Sequence, residues 1–109
     1  MDDIAPVLPR RPNLGDTMRP LIAANWKMHG LMGQLTDIHS LATALTAQAA
    51  AADVLICPPL TLIERAVAAA SGRITIGGQN CHHEDSGAFT GEVSATMLRA
   101  AGAAAGLVG

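Results

Sequence analysis

The chain has 109 residues, half of them hydrophobic, but only Trp26 and Phe89 are aromatic. This length suffices for one domain with a single core, and the Ala-, Leu-, Ile- and Val-rich composition is typical of helices packed on a buried sheet. The formal net charge of −2, without a basic run, argues against nucleic acid or an anionic membrane as a partner, and no apolar run approaches the roughly 20 residues of a membrane span.

The first 18 residues contain Pro, Asp, Asn and Gly but no long apolar stretch. Arg10 and Arg11 are not followed by the hydrophobic region of a signal peptide. We therefore expect residues 1–18 to be a disordered N-terminal extension, with Met18 as an alternative start of the protein.

Four strand-like segments and three helical segments alternate along residues 19–109. Short, mostly apolar runs predict strands at residues 21–26, 53–57, 73–79 and 103–109. Apolar stripes at helical spacing predict helices at residues 34–50, 60–71 and 94–101. Ser94 is a predicted N-cap, and Thr61 and Glu64 have capping-box spacing. The order β-α-β-α-β-loop-α-β implies parallel strands with right-handed crossovers.

Two α/β architectures have this order of elements. One is a doubly wound, flavodoxin-like sheet that is complete at about this length. The other is the N-terminal half of a (β/α)8 barrel, since four units in about 90 residues extrapolate to the roughly 250 residues of a full barrel. In the second case the four strands leave two open edges, and we expect Ile22, Val54 and Ile74 to face the inside of the barrel.

The carboxyl ends of the strands carry the polar residues in both architectures, and reactive side chains lie there. A lysine such as Lys27 is a point cation that can hold a phosphate or stabilise a developing oxyanion. Asn25, two residues earlier, projects to the same side and can donate an amide hydrogen to the same ligand. From spacing alone, a solvated lysine and a turn-forming asparagine remain the alternative.

Other motifs predict no metal and no cofactor. Adjacent residues such as those of the His82-His83-Glu84-Asp85 run rarely converge on one ion, and spaced partner ligands do not appear. Gly77-Gly78 lacks the G-x-G-x-x-G pattern of a nucleotide loop and is better explained by close packing at a strand end. Cys57 and Cys81 have no C-x-x-C spacing, which is typical of reduced thiols in a cytoplasmic protein.

Several blocks of the sequence resemble the triosephosphate isomerase family, in the order in which that family has them. Ala24-Asn25-Trp26-Lys27-Met28 resembles the end of its first strand, and Cys57-Pro58-Pro59 resembles the end of the second. Gly78-Gln79-Asn80-Cys81 and residues 87–94 (GAFTGEVS) are similar to its third strand end and interface loop, and residues 106–109 to its fourth strand. The resemblance covers about residues 19–109 and implies the N-terminal half of a (β/α)8 TIM barrel, truncated in or after the fourth strand.

The resemblance implies a triose-phosphate isomerase, an aldose–ketose isomerase of glycolysis and gluconeogenesis that interconverts dihydroxyacetone phosphate and glyceraldehyde 3-phosphate. Lys27 is then expected to contact the substrate phosphate and neutralise developing charge, and Asn25 to bind the substrate and help position Lys27. The family's neutral histidine and glutamate base are expected beyond Gly109, so the chain alone is predicted to be inactive. A complete, non-catalytic module that binds a phosphate ligand or a protein partner remains the alternative.

The resemblance also implies a homodimer. Phe89, Thr90 and Glu92 are expected on a loop that inserts into a partner subunit, where the threonine braces the partner's asparagine and lysine. Met28 is expected to line the pocket that receives this loop.

Overall fold

The computed structural model describes residues 3–6, 19–48 and 51–108. These residues contain the strands β1 (Asp3–Pro6), β2 (Leu21–Asn25), β3 (Asp53–Cys57), β4 (Thr75–Gly78) and β5 (Ala105–Val108). They also contain the α-helices α1 (Leu35–Ala47), α2 (Ile63–Ala70) and α3 (Ala95–Ala100), and one turn of 3-10 helix precedes each of the first two, at Met32–Gln34 and Leu60–Leu62. The predicted alternation of strands and helices over residues 19–108 is therefore confirmed.

The order of the strands separates the two predicted architectures. The sheet runs β1-β5-β4-β3-β2, and β2 to β5 are parallel, each beside its predecessor in the chain. A doubly wound sheet reverses its strand order at a switch point, and no reversal occurs among β2 to β5. Sequential neighbours curling in one direction are the arrangement of a (β/α)8 barrel, so the fold is the N-terminal half of such a barrel.

Strand β1 departs from the expected disordered extension. Asp3–Pro6 pairs antiparallel with β5, in a register that runs from Asp3↔Val108 to Pro6↔Ala105. The edge of β5 presents backbone N–H and C=O groups that any extended segment can pair with, and composition does not reveal this. The prediction of two open edges is wrong for the β5 edge. The rest of the predicted extension, with Met18, lies outside the described residues.

The sheet has two apolar faces with different neighbours. On one face Ile56 and Ile76 pack with Ile38 of α1, Ile63 of α2 and Leu98 of α3. On the other face a smaller cluster is buried, formed by Leu55, Cys57, Ala105 and Leu107. Because the helices of a (β/α)8 barrel form its outer ring, the face that carries this second cluster, which contains no helix residue, is the concave, barrel-interior side.

The predicted inward-facing residues lie on the opposite side. Val54 and Ile74 pack with the helix-facing cluster, and Ile22 lines a cavity beside Ile38 of α1. The assignment was therefore wrong by one position along the strand, and a shift of one residue exchanges the two faces. Both faces of a barrel sheet are covered by other apolar groups, so an apolar residue is suited to either face. Hydrophobicity alone therefore could not distinguish the two faces.

The ends of the helices agree with the sequence only in part. The Ser94 hydroxyl accepts a hydrogen bond of 3.1 Å from the Met97 N–H and caps α3 as predicted. The capping box predicted from Thr61 and Glu64 is wrong, because α2 follows the 3-10 turn and has no side-chain cap at Leu62.

Candidate functional site

The carboxyl ends of β2, β3 and β4 meet in one place. Asn25 is the last residue of β2 and pairs in register with Cys57, the last residue of β3. The Trp26 N–H donates to the Cys57 carbonyl over 3.1 Å, which extends the pairing by one residue. Gln79 follows β4 directly. Lys27 therefore leaves β2 beside the ends of two neighbouring strands.

Lys27 has an unusual backbone conformation. Its φ is +56°, in the left-handed region, and its N–H donates a 2.8 Å hydrogen bond to Oδ1 of Asn25. Such a conformation at a residue other than glycine costs about 1–3 kcal/mol and is concentrated at functional sites. The hydrogen bond to the Asn25 side chain thus helps to stabilise the left-handed conformation of Lys27.

The groups that could bind a ligand are open at this position. Lys27 and Asn25 are both exposed. Within the described part of the chain, no hydrogen bond or ion pair occupies the Lys27 ammonium or Nδ2 of Asn25. Asn25 uses Oδ1 to hold Lys27, so its amide nitrogen is left to donate to a ligand. The pair offers one cation and one neutral donor, which is a set of groups for an anion.

Gln79 is a member of this site to which the sequence analysis assigned no role. Its Nε2 donates to the Lys27 carbonyl over 2.8 Å and to the Cys57 carbonyl over 2.9 Å. The signals in the sequence were its place at a strand end and in a block that resembles the family's third strand end, and neither shows where a long side chain turns. Fifty-two residues separate Gln79 from Lys27, so only the folded sheet brings them together.

The loop over residues 80–93 lies next to the same strand ends and holds the predicted interface residues. The Phe89 side chain is 43% exposed, and its ring lies on His82 with centroids 4.1 Å apart. A Cβ on Gly87 would lie 2.5 Å from this ring, so the glycine makes room for Phe89. Thr90 is exposed, and no hydrogen bond joins it to Asn25 or Lys27 within the described residues.

Two further predicted interface residues are also on the surface. Glu92 is exposed, and its carboxylate accepts a hydrogen bond from Nδ2 of Asn80, the second residue after β4. Met28 is 94% exposed. A large apolar side chain in that position gains free energy when another surface covers it.

The histidine run forms local contacts. His82 and His83 stack with ring centroids 4.4 Å apart, and Nδ1 of His82 accepts from the Glu84 N–H over 3.0 Å. Asp85 accepts from the Thr96 hydroxyl over 3.3 Å. No group of three or more metal-ligating side chains occurs in residues 3–6, 19–48 or 51–108.

A largely apolar cavity of about 570 Å³ lies between β2, β3 and α1. Its apolar lining includes Ile22, Ala24 and Trp26 of the β2 segment and Ile38 of α1, and its polar lining residues are His29, Gln34 and Asp37. No strand among the described residues pairs with the outer edge of β2. The cavity therefore belongs to the open side of the half barrel.

The fold and the strand end define a barrel protein that presents a lysine and an asparagine at the carboxyl end of a strand, where barrel enzymes have their active sites. Comparison with known proteins identifies the family within this class. The family model described as triosephosphate isomerase matches residues 20–109, and the chain belongs to the triosephosphate isomerase family.

Individual relatives agree with this assignment. The chain is 48% identical over 92 residues to the triosephosphate isomerase of Xanthobacter flavus, covering 84% of this chain and 36% of that protein. It is 50% identical over 93 residues to that of Afipia carboxidovorans, covering 84% and 37%. The crystal structure of the Bartonella henselae enzyme superposes with a TM-score of 0.72 at 44% identity, over 79% of this chain and 35% of that one.

The chain thus spans little more than a third of the length of the curated relatives that it matches. The match over a part of a barrel enzyme disfavours the alternative of a complete flavodoxin-like module. Among the helices of the described residues, none has the length and apolar character to cross a bilayer.

Proposed function

We propose that this chain is the N-terminal part of a triose-phosphate isomerase that interconverts dihydroxyacetone phosphate and glyceraldehyde 3-phosphate in the cytoplasm. The observation that carries the proposal is the Asn25–Lys27 pair at the end of β2, with Lys27 in the left-handed conformation. Membership of the family supports it.

The two residues have distinct roles in the proposed reaction. The Lys27 ammonium is a compact point charge that holds the substrate phosphate and opposes negative charge on the carbon skeleton. Nδ2 of Asn25 donates to the substrate, while its Oδ1 keeps Lys27 in place. Neither group is a base suited to removing a proton from carbon, because an ammonium and an amide carry no basic lone pair at neutral pH.

The chain alone is therefore predicted to be inactive. General acid–base catalysis contributes about 10²–10⁴ in rate, and the histidine and glutamate that the family uses are not at any matched position of the 109 residues. Binding of the phosphate without proton transfer is the activity that we expect from these residues by themselves.

We also propose that the functional form is a homodimer. The exposed Phe89, Thr90 and Glu92 form the part of the loop that would insert into a partner, and the exposed Met28 would line the receiving pocket. Burial of the two apolar side chains supports this assembly, at about 25 cal/mol per Å² of apolar surface removed from water.

The experiment has two parts. The 109-residue chain is assayed for triose phosphate turnover against a matched blank, and inorganic phosphate is titrated while the backbone amide signal of residue 27 is followed by NMR. We expect no turnover, a saturable shift in the unaltered chain, and no such shift in Lys27→Ala. A Lys27→Ala chain that responds to phosphate like the unaltered chain would remove the proposed phosphate site.

Where the reading frame extends past Gly109, the same substitutions apply to the longer product. Lys27→Ala is expected to abolish most isomerase activity, and Lys27→Arg to restore little of it, because a wide guanidinium does not fit a site built for a compact ammonium. Near-normal turnover by Lys27→Ala would contradict the assigned role.

A further inference from the structure

We propose that Gln79 is a positioning residue for Lys27: its carboxamide holds the Lys27 backbone in the left-handed conformation that aims the lysine at the anion site. The functional consequence rests on the proposed function, whereas the positioning itself is a property of the fold. Gln79 is part-buried and lies at the end of β4.

The first step of the argument is the geometry of the Gln79 amide. A carboxamide nitrogen carries two hydrogens, and Nε2 of Gln79 has two carbonyl acceptors, Lys27 at 2.8 Å and Cys57 at 2.9 Å. One amide hydrogen thus bonds to the second residue after β2 and the other to the last residue of β3. The distances also identify the nitrogen of the amide, because an oxygen in its place would face two carbonyl oxygens without a hydrogen between them.

The second step is that Lys27 is held from both sides. Its N–H is bonded to Asn25 and its carbonyl to Gln79. The asparagine bond is local, spanning two residues, and it would also be available in an isolated turn. The glutamine bond reaches across 52 residues, so it couples the backbone of Lys27 to the folded sheet.

The third step is the energy that these bonds must offset. A left-handed backbone is unfavourable for a lysine, and a single hydrogen bond has a modest net free energy because it replaces a bond to water. Two bonds to the same residue therefore offset more of this cost than the Asn25 bond alone. Loss of the Gln79 donors lets the Lys27 backbone relax toward an extended conformation, and the direction of its Cα–Cβ bond changes with it.

The fourth step separates the hydrogen bonds of Gln79 from the space that its side chain fills. A role confined to packing would be retained in Gln79→Glu, because the two side chains have the same shape. Positioning depends on the donors at Nε2, which this substitution removes. The protonated acid has one O–H to donate, whereas the carboxylate has none and repels the two carbonyl oxygens.

The experiment uses the full 109-residue chain and NMR. The φ angle of Lys27 is read from its three-bond HN–Hα coupling and from its intraresidue HN–Hα NOE. In Gln79→Met and in Gln79→Glu at neutral pH, the coupling should rise toward the large value of extended backbone, and the NOE should weaken. On acidification, Gln79→Glu should recover both signals in part, whereas Gln79→Met should not.

A matched control is available one residue further on. Asn80→Asp alters a neighbouring amide that bonds to Glu92 and makes no hydrogen bond to Lys27, so both Lys27 signals should stay as in the unaltered chain. Should Gln79→Met fold poorly, the unaltered chain still decides the matter: both Nε2 protons of Gln79, each bonded to a carbonyl, must exchange with solvent more slowly than those of an exposed glutamine.

Unchanged Lys27 signals in both Gln79 variants, or Nε2 protons of Gln79 that exchange as fast as those of an exposed glutamine in the unaltered chain, would overturn the proposal. Phosphate is absent from these measurements, so they are independent of the proposed function. If Lys27 loses its left-handed conformation in the variants while the unaltered chain does not respond to phosphate, the positioning role holds and the phosphate site fails.

Discussion

The side chain of Asn25 bonds to the backbone of Lys27, with Oδ1 accepting the Lys27 N–H over 2.8 Å. Under the proposed function one asparagine therefore has two separable duties: Oδ1 supports the lysine, and Nδ2 donates to the ligand. Substitutions at this position can remove one duty and retain the other.

Asn25→Asp should retain the Lys27 conformation but weaken anion binding. The carboxylate keeps an acceptor for the Lys27 N–H, yet it loses the donor and brings a negative charge beside the bound anion. Repulsion of about 1 kcal/mol at contact distance, even at the dielectric constant of water, predicts at least about a fivefold weaker response to phosphate. Asn25→Ala should change the HN–Hα coupling of Lys27 as well. Equal phosphate affinity in Asn25→Asp would contradict the donor role.

Gly77→Ala should destabilise the chain by about 1–3 kcal/mol, as overpacking of a filled core does. A Cβ at this position would lie 3.0 Å from both Sγ of Cys57 and the carbonyl oxygen of Ala105 on the concave side of the sheet. Gly33→Ala is the control, because a Cβ there has no neighbour within 4 Å. Urea unfolding of both variants measures the difference in their free energies of unfolding. Equal urea midpoints would show that the concave side of the sheet can accommodate the added methyl group.

The stability of the chain should decrease between about pH 9 and pH 11 through Cys57. Burial raises the pKa of the Cys57 thiol from 9.0 to about 11. Below pH 9 the thiol is protonated in both states and its contribution is fully present. Between the two values only the unfolded chain releases the proton, so unfolding is favoured as the pH rises.

Thermal unfolding from pH 8 to pH 11 measures this effect. Cys57→Ala should show a smaller decrease in melting temperature across that range, whatever its stability at pH 8. In the unaltered chain at pH 8, a thiol reagent should modify the part-exposed Cys81 first and reach Cys57 only on unfolding. Identical pH slopes for the two chains would show that the thiol is not protected in the folded state.

The pairing of β1 with β5 predicts a specific pattern of amide protection. The Ala104 N–H donates to the Ile76 carbonyl over 2.9 Å, toward β4. Since successive amides of a strand point to opposite edges, the Leu107 N–H points toward β1, where the register places Ile4 opposite it. The Ile4 N–H accordingly points to β5.

Ile4→Pro should therefore accelerate hydrogen exchange of Leu107 by roughly two- to tenfold, the equivalent of one net hydrogen bond. Ala5→Pro is the control, because that amide points away from β5 and proline is tolerated at such an edge position. The Gly106 amide, on the β4 side, should be insensitive to both changes. Exchange of Leu107 that is the same in all three chains would indicate that β1 does not protect the edge in solution.

The sequence alone was sufficient for the order of elements and for the place of Asn25 and Lys27 at a strand end. Apolar runs and turn residues are local signals, so they locate the strands and helices of residues 19–108 within a few positions. Asn25 and Lys27 are also two residues apart on one strand end, and their joint location needs no tertiary contact. The resemblance of several sequence blocks to the triosephosphate isomerase family was likewise visible without the structure.

Three features depended on tertiary structure. The partners of Gln79 lie on strands that are distant along the chain, the inner face of the sheet belongs to Leu55 and Cys57 rather than to Val54, and Asp3–Pro6 adds to β5. In each case the sequence permits several arrangements with similar local energies. Only the assembled sheet selects one, because the acceptor, the covered face or the free edge exists only after the strands have paired.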